Sequence, residues 1–553
     1  MHKNTVHLEY LISKASINSL LNLVQSLLLA MISGSLLALS FLNHDFFYCA
    51  WFGLVPLLWV VENTSLARTY FIGLIAGLTL FVTGAYWVID FIEISKDYGV
   101  HAGFFLAGIY WLYSAQSIAL AILIFKWLSQ HTNITAFIVL PVVFVVFTST
   151  FPMLFPMRLS DTQVNFHIAL QGIEFVGASG LDAIIILSNL IVYRMIAFVF
   201  SSPFKTHGNS ISHLLCATII LVIWLTYGSV AYSSWQANIK TWETFKVGLI
   251  QINETPRLGN TVQYPGYSLA YPPEMDMTER LNSVGAELII WPEAQSKHYL
   301  DDPNIQRAYQ QTISRLDSHL LFQDMEHIND AITGDQLHQY NSAVLINNEG
   351  QQVDRYEKMK RIPFGEYTPL LENDSLASQW IESLFGEFTS GLSQGTAQKI
   401  FTHPNMNIIP LICYETTFPH FVANAVNTTL SQRIPSNGTM LVGLSNDGWF
   451  GSSHLPYQHI MPSVLRAVEN RLPLVHVANN GPSIVATPDG NIIFTSDFQQ
   501  AAGYIVDVPY SKTTQGSFYS RHPSLFTNTI FIVFAFMLMS SVKQRFNLKL
   551  KSQ

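Results

Sequence analysis

The chain has 553 residues, which is enough for two or three domains of ordinary size. Only 12% of the residues are charged and 49% are hydrophobic, whereas roughly a quarter of the residues in typical globular chains are charged. This composition excludes an ordinary soluble protein, and the net charge of −8 gives no basis for nucleic-acid binding, which needs basic surfaces.

Apolar stretches long enough to cross the ~30 Å hydrocarbon core of a bilayer recur through the first half of the chain. The second stretch is short enough to form a hairpin with the first. The sixth carries Gly172, Gly177 and Gly180, which predict that it starts late or is broken. The predicted spans lie near residues 19–42, 46–62, 70–92, 103–128, 134–155, 171–200, 213–235 and 524–542.

Basic residues predict the side of the membrane on which each loop lies, because cytoplasmic loops carry an excess of Lys and Arg. Most basic residues near the spans fall in the N-terminal segment, in every second loop or in the final tail. Eight crossings then place both termini in the cytoplasm, although Lys96 and Arg158 run against the bias. A different number of spans would reverse this orientation. The tail contributes Lys543, Arg545, Lys549 and Lys551.

The remaining residues divide the chain into three predicted domains. Residues 1–235 form a transmembrane domain of about seven helices, residues 236–523 a periplasmic domain, and residues 524–553 a last helix with a basic tail. In the middle domain, short apolar runs alternate with segments of helical length such as Leu455–Arg471, which predicts α/β layers. The predicted strands include Val247–Ile252, Glu287–Trp291, Ala343–Ile346, Asn407–Cys413, Met440–Ser445, Leu474–Ala478 and Asn491–Phe494.

Three segments place a reactive side chain at or near the end of an apolar run, where α/β folds usually build their sites. Glu293 follows the run that ends at Trp291 and Pro292, and such surroundings partly desolvate a carboxylate and suit a general base. Lys358 begins a cluster of three cations within four positions, one of which could stabilise an oxyanion. Cys413 stands at a strand-to-helix elbow, where a base and a cation can generate a thiolate.

Each of these segments also has an ordinary structural interpretation. Glu293 could be a solvated residue at a strand end, the cations a solvated loop or a headgroup patch, and Cys413 an inert core thiol. The other two cysteines, Cys49 and Cys216, lie inside apolar runs, and three cysteines cannot form a disulfide framework.

Taken together, the order Glu293, Lys358, Cys413 resembles the Glu-Lys-Cys triad of the nitrilase superfamily. The downstream motifs and the spans on both sides resemble the membrane-bound branch of that superfamily, the apolipoprotein N-acyltransferases. These motifs are Ser445-Asn446-Asp447-Gly448-Trp449-Phe450-Gly451, Gln458-His459, Arg466–Arg471 and Asn479-Asn480-Gly481-Pro482-Ser483.

The resemblance implies a nitrilase-like αββα sandwich joined to a multi-pass helical membrane domain. It also implies that Cys413 is the nucleophile, Glu293 the general base and Lys358 the lysine that stabilises the oxyanion. Lys358 rather than Lys360 is the match because it stands eight positions before Glu366 in the family-like Lys…Pro-Phe-Gly-Glu frame. Supporting residues implied by the match are Glu366, Tyr414, Glu415 and, near the acyl pocket, Trp449.

The implied reaction moves an acyl chain from a membrane phospholipid to the N-terminal amine of an S-diacylglyceryl-cysteine lipoprotein, through a thioester on Cys413. The implied location is the bacterial inner membrane, with the catalytic domain in the periplasm. No cofactor, metal or nucleic acid is expected, since the histidines show no ligand spacing, and a monomer is expected because nothing demands a partner subunit.

Two alternatives keep the same fold. A membrane-tethered amidase or nitrile hydrolase would use the same triad with water as the acceptor. An inactive homologue would bind lipoproteins without chemistry. The chain departs from the family pattern at Ala294-Gln295-Ser296, where Thr or Ser and then Ala-Ile-Pro are usual, and lacks the usual Trp after its opening strand.

Overall fold

A computed structural model of the chain describes residues 2–62, 64–96, 99–200, 209–256, 264–330, 336–367 and 391–552. The first half of the described chain is helical. Its helices are α1 (His2–Leu42), α2 (Val55–Val61), α3 (Leu66–Gly84), α4 (Val88–Lys96), α5 (Val100–His131), α6 (Ala136–Thr150), α7 (His167–Leu170), α8 (Ile173–Phe200) and α9 (Asn209–Ile239). Short 3-10 helices at His44–Trp51 and Leu159–Gln163 lie between them.

Within the described residues, seven helical segments are long and apolar enough to cross a membrane, judged by length and composition. Together with the shorter apolar helix α6 they match the eight predicted spans in position. Helix α6 ends at Thr150, before the predicted end at residue 155, because Pro152 follows its C-cap Phe151. A residue that precedes proline is disfavoured in the helical conformation.

The third predicted span, near residues 70–92, is two helices rather than one, because the helical conformation is interrupted between Gly84 and Val88. Side chains from elsewhere bind the backbone carbonyls that the break frees. The indole of Trp111 donates to the Ala85 carbonyl at 2.9 Å, and the Gln458 amide donates to the Gly84 carbonyl at 3.0 Å. The break is therefore a built feature that ties α3 to the second half of the chain.

Helix α8 is broken at Gly177, as the glycines of the sixth predicted span suggested. Gly177 has φ +66°, and a Cβ there would lie 2.4 Å from the Tyr519 ring. Only glycine meets both demands without strain. The Glu469 carboxylate accepts a hydrogen bond from the Ala178 backbone at 2.6 Å, just after the break.

The described residues of the second half form two six-stranded sheets, and each predicted strand is present. The first sheet has the order β12-β1-β2-β3-β4-β5 and the second the order β11-β10-β9-β8-β7-β6. The strands are β1 (Glu243–Gln251), β2 (Leu288–Ile290), β3 (His319–Asn329), β4 (Gln336–Ile346), β5 (Gln352–Glu357), β6 (Phe401–His403), β7 (Met406–Ile412), β8 (Gly438–Ser445), β9 (Leu474–Ala478), β10 (Ile484–Ala486), β11 (Ile492–Thr495) and β12 (Ala502–Tyr510).

The two sheets pack face to face in an αββα sandwich. Strands β1, β2 and β3 are parallel in the first sheet, as are β7, β8 and β9 in the second. One apolar core, which includes Val247, Ile290, Ile408 and Val442, fills the space between the sheets. Helices α10 (Pro273–Ser283) and α11 (Pro303–Leu316) cover the first sheet, and α12 (Pro419–Leu430) and α13 (Leu455–Asn470) cover the second.

Helix α13 packs against the second sheet and the membrane half at once. Each of its residues except Tyr457 is buried, and its apolar side chains share one core with α8 and the second sheet. An ion pair completes the contact just beyond its end, where Arg471 pairs with the partly buried Glu174 at 2.8 Å. The short helix α14 (Phe518–Arg521) and the long α15 (Leu525–Ser552) return the chain to the apolar helices.

Candidate active site

Cys413 is the first residue after β7 and begins a 3-10 turn that runs to Thr417. Its φ of +50° lies in the left-handed region, which a side chain other than glycine adopts only when the surroundings enforce it. The Glu415 carboxylate provides part of that enforcement, since it accepts a hydrogen bond from the Ile412 backbone at 2.8 Å. The sulfur is thereby held at an elbow, 7% exposed.

Glu293 lies three residues beyond β2 and is nearly buried. Its Oε1 accepts a hydrogen bond from the Asn341 amide at 2.6 Å, and its Oε2 accepts one from the Asn446 backbone at 3.2 Å. Both carboxylate oxygens are thus held in place by neutral donors. Asn341 was not among the predicted residues because it lies inside β4, where no strand-end signal marks it.

Lys358 follows β5 directly and is 1% exposed. Its Nζ lies 2.6 Å from Glu366 Oε1 and 3.8 Å from Glu293 Oε1. Burial opposes the charged form, yet the carboxylates of Glu366 and Glu293 raise the pKa of Lys358 above its usual value. The ammonium is therefore charged throughout the physiological range.

Glu366 binds the ammonium with one oxygen and the backbone of its own loop with the other, since Oε2 accepts a hydrogen bond from Ile362 at 2.8 Å. Burial raises the pKa of Glu366, and the neighbouring Lys358 charge acts against that rise. Glu366 thus orients the lysine.

Glu415 links the cysteine elbow to the lysine segment. Besides the bond from Ile412, its carboxylate accepts hydrogen bonds from the Tyr356 hydroxyl at 2.8 Å, the Met359 backbone at 2.7 Å and the Lys360 backbone at 3.0 Å. Burial raises the pKa of Glu415, while these donors lower it. Its contacts make Glu415 a positioning residue, held away from the sulfur.

The surroundings of Cys413 favour its thiol form over the thiolate. Burial raises its pKa well above the usual value, the Glu293 charge adds to the rise, and the Lys358 charge opposes it. A thiol in this state reacts only if a base removes its proton as the bond to carbon forms. A carboxylate and an ammonium near such a sulfur can supply these two functions.

A cavity of about 640 Å³ opens onto the sulfur and is lined by residues from both halves of the chain. Cys413, Glu293 and Glu366 line the cavity. Lys358 lies behind this lining and donates a hydrogen bond to Glu366. Its lining includes the aromatic residues Phe41, Trp87, Phe91 and Phe155 from the first half and the polar residues Gln295, Ser296, Gln323 and Asn341 from the second half.

Tyr414 and Trp449, two of the supporting residues that the resemblance implied, both line this cavity. The Tyr414 hydroxyl donates to the Leu154 carbonyl at 2.6 Å, and its ring packs edge-on against Phe155. Trp449 packs with the cluster formed by Trp87 and Phe450. Both residues therefore shape the aromatic part of the lining.

A second polar cluster lies behind the cysteine. Asp447 Oδ1 and His459 Nδ1 are 2.7 Å apart, and the Ser445 hydroxyl lies 3.1 Å from that oxygen and 3.8 Å from Cys413 Sγ. His476 brings a ligand atom within 4.8 Å of those of the other two side chains. The cluster could hold a cation only if the bond between Asp447 and His459 opened. The motifs that contain Asp447 and His459 were visible in the sequence. The sequence did not indicate that these two side chains lie next to each other.

The comparisons with known proteins follow the two halves. A family model of the apolipoprotein N-acyltransferase N-terminal domain matches residues 33–191, and the carbon-nitrogen hydrolase model matches residues 233–516. The apolipoprotein N-acyltransferase of Geobacter metallireducens is 27% identical, over 90% of this chain and 92% of its own. That of Rickettsia prowazekii is 25% identical, over 93% and 98%. A solved amidase from Nesterenkonia sp. is 16% identical, over 51% of this chain and 95% of its own, with a TM-score of 0.35.

Proposed function

Because the chain belongs to the carbon-nitrogen hydrolase family, in the branch that carries an apolipoprotein N-acyltransferase N-terminal domain, we propose that it N-acylates lipoproteins. The donor is a membrane phospholipid, and the acceptor is the α-amine of an S-diacylglyceryl-cysteine. The relatives named above support the reaction, and the cavity supports the kind of donor.

In the first half-reaction, Glu293 takes the proton of the Cys413 thiol while the sulfur attacks an ester carbonyl of the phospholipid. The carbonyl oxygen becomes an oxyanion, which the Lys358 ammonium stabilises. When the intermediate collapses, the ester C–O bond breaks and the leaving oxygen takes the proton from Glu293. A lysophospholipid departs, and an acyl thioester remains on Cys413.

In the second half-reaction, the acceptor amine attacks the thioester carbonyl. Glu293 removes a proton from the attacking nitrogen and returns it to the sulfur as the C–S bond breaks. An amide and a free thiol result, so the enzyme is ready for another cycle. A thioester suits this step because an amine cleaves it readily, while the apolar wall keeps water away.

The single observation that carries this proposal is the mixed lining of the cavity. Its aromatic residues Phe41, Trp87 and Phe155 come from the half that holds the membrane-spanning helices. A long acyl chain fits such a lining, whereas a small soluble amide has no need of it. The polar side chains of the lining can bind a headgroup or a peptide.

The location and partners follow from the same proposal. We place the chain in a bacterial inner membrane as a monomer, with residues 1–235 and 524–553 spanning it and residues 236–523 in the periplasm. An enzyme fixed at the bilayer surface meets two lipid substrates without extracting either into water.

The test uses the purified full-length protein in detergent with labelled phospholipid. The expected result is an acyl adduct on Cys413 that hydroxylamine removes, followed by transfer to a diacylglyceryl peptide. Cys413→Ala should abolish the adduct. The matched controls are Cys49→Ala and Cys216→Ala, which should keep it, since these thiols lie in the first half.

Other outcomes would overturn parts of the proposal. Release of the label as free fatty acid would indicate a hydrolase, and absence of any adduct would indicate a binding protein without chemistry. An adduct that survives Cys413→Ala would disprove the assignment of the nucleophile.

A further inference from the structure

A buried ion pair lies on the side of Cys413 formed by β8 and α13. The Asp447 carboxylate is fully buried, and His459 is 9% exposed. Their facing atoms, Oδ1 and Nδ1, are 2.7 Å apart. The mechanism proposed above uses neither residue. Two ionisable groups this deeply buried beside a nucleophile call for a functional explanation.

The charge state of the pair follows from its surroundings. Burial alone would lower the pKa of His459, but the Asp447 carboxylate and its hydrogen bond raise it above the usual value. In the partner, burial alone would raise the pKa of Asp447, and the His459 charge lowers it below the usual value. Both shifts favour an imidazolium facing a carboxylate, so the pair is neutral as a unit.

The pair approaches the nucleophile at two points. The Cys413 backbone lies close enough to the His459 imidazole to help raise its pKa. The Ser445 hydroxyl lies 3.8 Å from the sulfur and 3.1 Å from Asp447 Oδ1. Because His459 Nδ1 donates to Asp447, it cannot also accept from Ser445. The single hydroxyl proton is therefore shared between a carboxylate oxygen and the sulfur.

Asp447 without its partner would work against the reaction. Its second oxygen, Oδ2, has no hydrogen-bond partner among the described residues, and its negative charge raises the pKa of Cys413. A bare carboxylate would oppose a thiolate beside it and would draw the Ser445 proton away from the sulfur.

We propose that the Asp447–His459 ion pair positions and electrostatically balances the nucleophile, with His459 cancelling the Asp447 charge so that Ser445 can donate to the sulfur. This inference rests on the proposed function only in taking Cys413 as the nucleophile. His459 is a positioning residue, because it acts through Asp447, Ser445 and the Cys413 backbone.

The other ionisable groups around the sulfur are known and can be held constant. Glu293, Lys358 and Glu366 also act on the charge of Cys413, and none of them is changed in the variants below. His476 packs edge-on against His459 with ring centroids 5.4 Å apart. Burial lowers the pKa of His476 to about 4, so it stays neutral across the range in which Cys413 would be titrated.

The experiment measures alkylation of Cys413 by iodoacetamide from pH 5 to pH 10, in the full-length protein, with the Cys413 peptide quantified by mass spectrometry. His459→Asn keeps a donor toward Asp447 but loses the positive charge. Because the pKa of Cys413 already lies well above its usual value, the measured quantity is the alkylation rate on the rising part of the profile. That rate should be about tenfold lower for His459→Asn than for the wild type at pH 7 and at each higher pH tested. His476→Gln is the matched control and should leave the profile in place.

The decisive variant removes both charges. Asp447→Asn combined with His459→Asn leaves two amides and no bare carboxylate, so its rate at pH 7 should return to within about threefold of the wild type. A purely structural role for the pair predicts the opposite, since the double variant would then be at least as slow as His459→Asn.

Three results would overturn the inference: a wild-type profile for His459→Asn, a double variant that stays slow, or a tenfold loss in Asp447→Asn alone. The last result remains informative if His459→Asn does not fold. A wild-type protein in which Cys413 is alkylated but forms no acyl adduct with phospholipid would instead overturn the proposed function and leave this inference standing, so failures of the two proposals are distinguishable.

Discussion

Replacing Lys358 by methionine removes the ammonium and leaves its two carboxylate neighbours in place. Glu366 lies 2.6 Å and Glu293 lies 3.8 Å from the nitrogen that the change deletes. The methionine fills a similar volume, so the variant tests the charge rather than the packing.

Two magnitudes follow from this geometry. Removing one partner of a buried ion pair costs about 3–5 kcal/mol of stability, and Lys358 is 1% exposed, so solvent screens little of that loss. Removing a donor to an oxyanion slows acyl transfer about 10²–10³-fold. We therefore expect Lys358→Met to lower the thermal midpoint and to reduce thioester formation by at least about 10²-fold.

The dependence on pH gives the variant a specific signature. Burial raises the pKa of Glu366, and the Lys358 charge opposes that rise, so the variant loses the opposing effect. A carboxyl group whose pKa is higher in the folded state contributes stability when protonated and loses it as pH rises. The thermal midpoint of Lys358→Met should therefore increase as the pH falls toward 5, by more than in the wild type.

The assay compares single-turnover adduct formation on Cys413 and thermal midpoints for three variants. Lys360→Met is the matched control, because Lys360 lies over the rings of Phe418 and Phe421 and is only partly buried. It should react at a rate close to that of the wild type. Lys358→Met combined with Glu366→Gln should recover part of the stability and none of the activity.

Adduct formation within tenfold of the wild type in Lys358→Met would refute the role given to this lysine. A larger loss in Lys360→Met would show that the wrong cation of the cluster had been chosen.

Two further predictions concern the shape of the site. Glu415→Gln places an amide donor among backbone donors that include Ile412, and an unpaired buried donor costs about 1–3 kcal/mol. Thioester formation should therefore fall at least tenfold. An unchanged rate would contradict the positioning role of Glu415. Phe450→Ala opens the aromatic part of the lining beside Phe91, whose ring centroid is 5.1 Å away. It should shift donor preference toward bulkier chains by about tenfold, which competition between two labelled phospholipids would measure; an unchanged ratio would place the acyl chain elsewhere.

Much of the site could be predicted because its residues follow strands. Cys413 and Lys358 each stand directly after a strand and Glu293 three residues beyond one, and strand ends in layered α/β folds converge. Their joint order then resembled a known family. Asn341 and His459 do not follow strands, so no strand-end pattern predicted them. Asn341 lies within β4, and the approach of His459 to Asp447 depends on how α13 packs on β8.

The fold followed a similar division. Continuous apolar runs predicted the central strands β1, β2, β7, β8 and β9, because both faces of those strands are covered, but the central strand β3 was not predicted. The edge strand β12 and the short strand β10 were also missed. The break between α3 and α4 was missed as well, because the residues that stabilise it come from distant positions such as Gln458.

Helix α13 also determines how this protein can be handled and altered. In a free-standing sandwich, its outer side would meet water; here that side is packed under the apolar helices of the first half. Cutting the chain after α9 would expose an apolar surface. It would also leave the Arg471 guanidinium without its ion-pair partner Glu174. The two halves are consequently one cooperative body, and a truncated catalytic fragment would aggregate rather than work in solution.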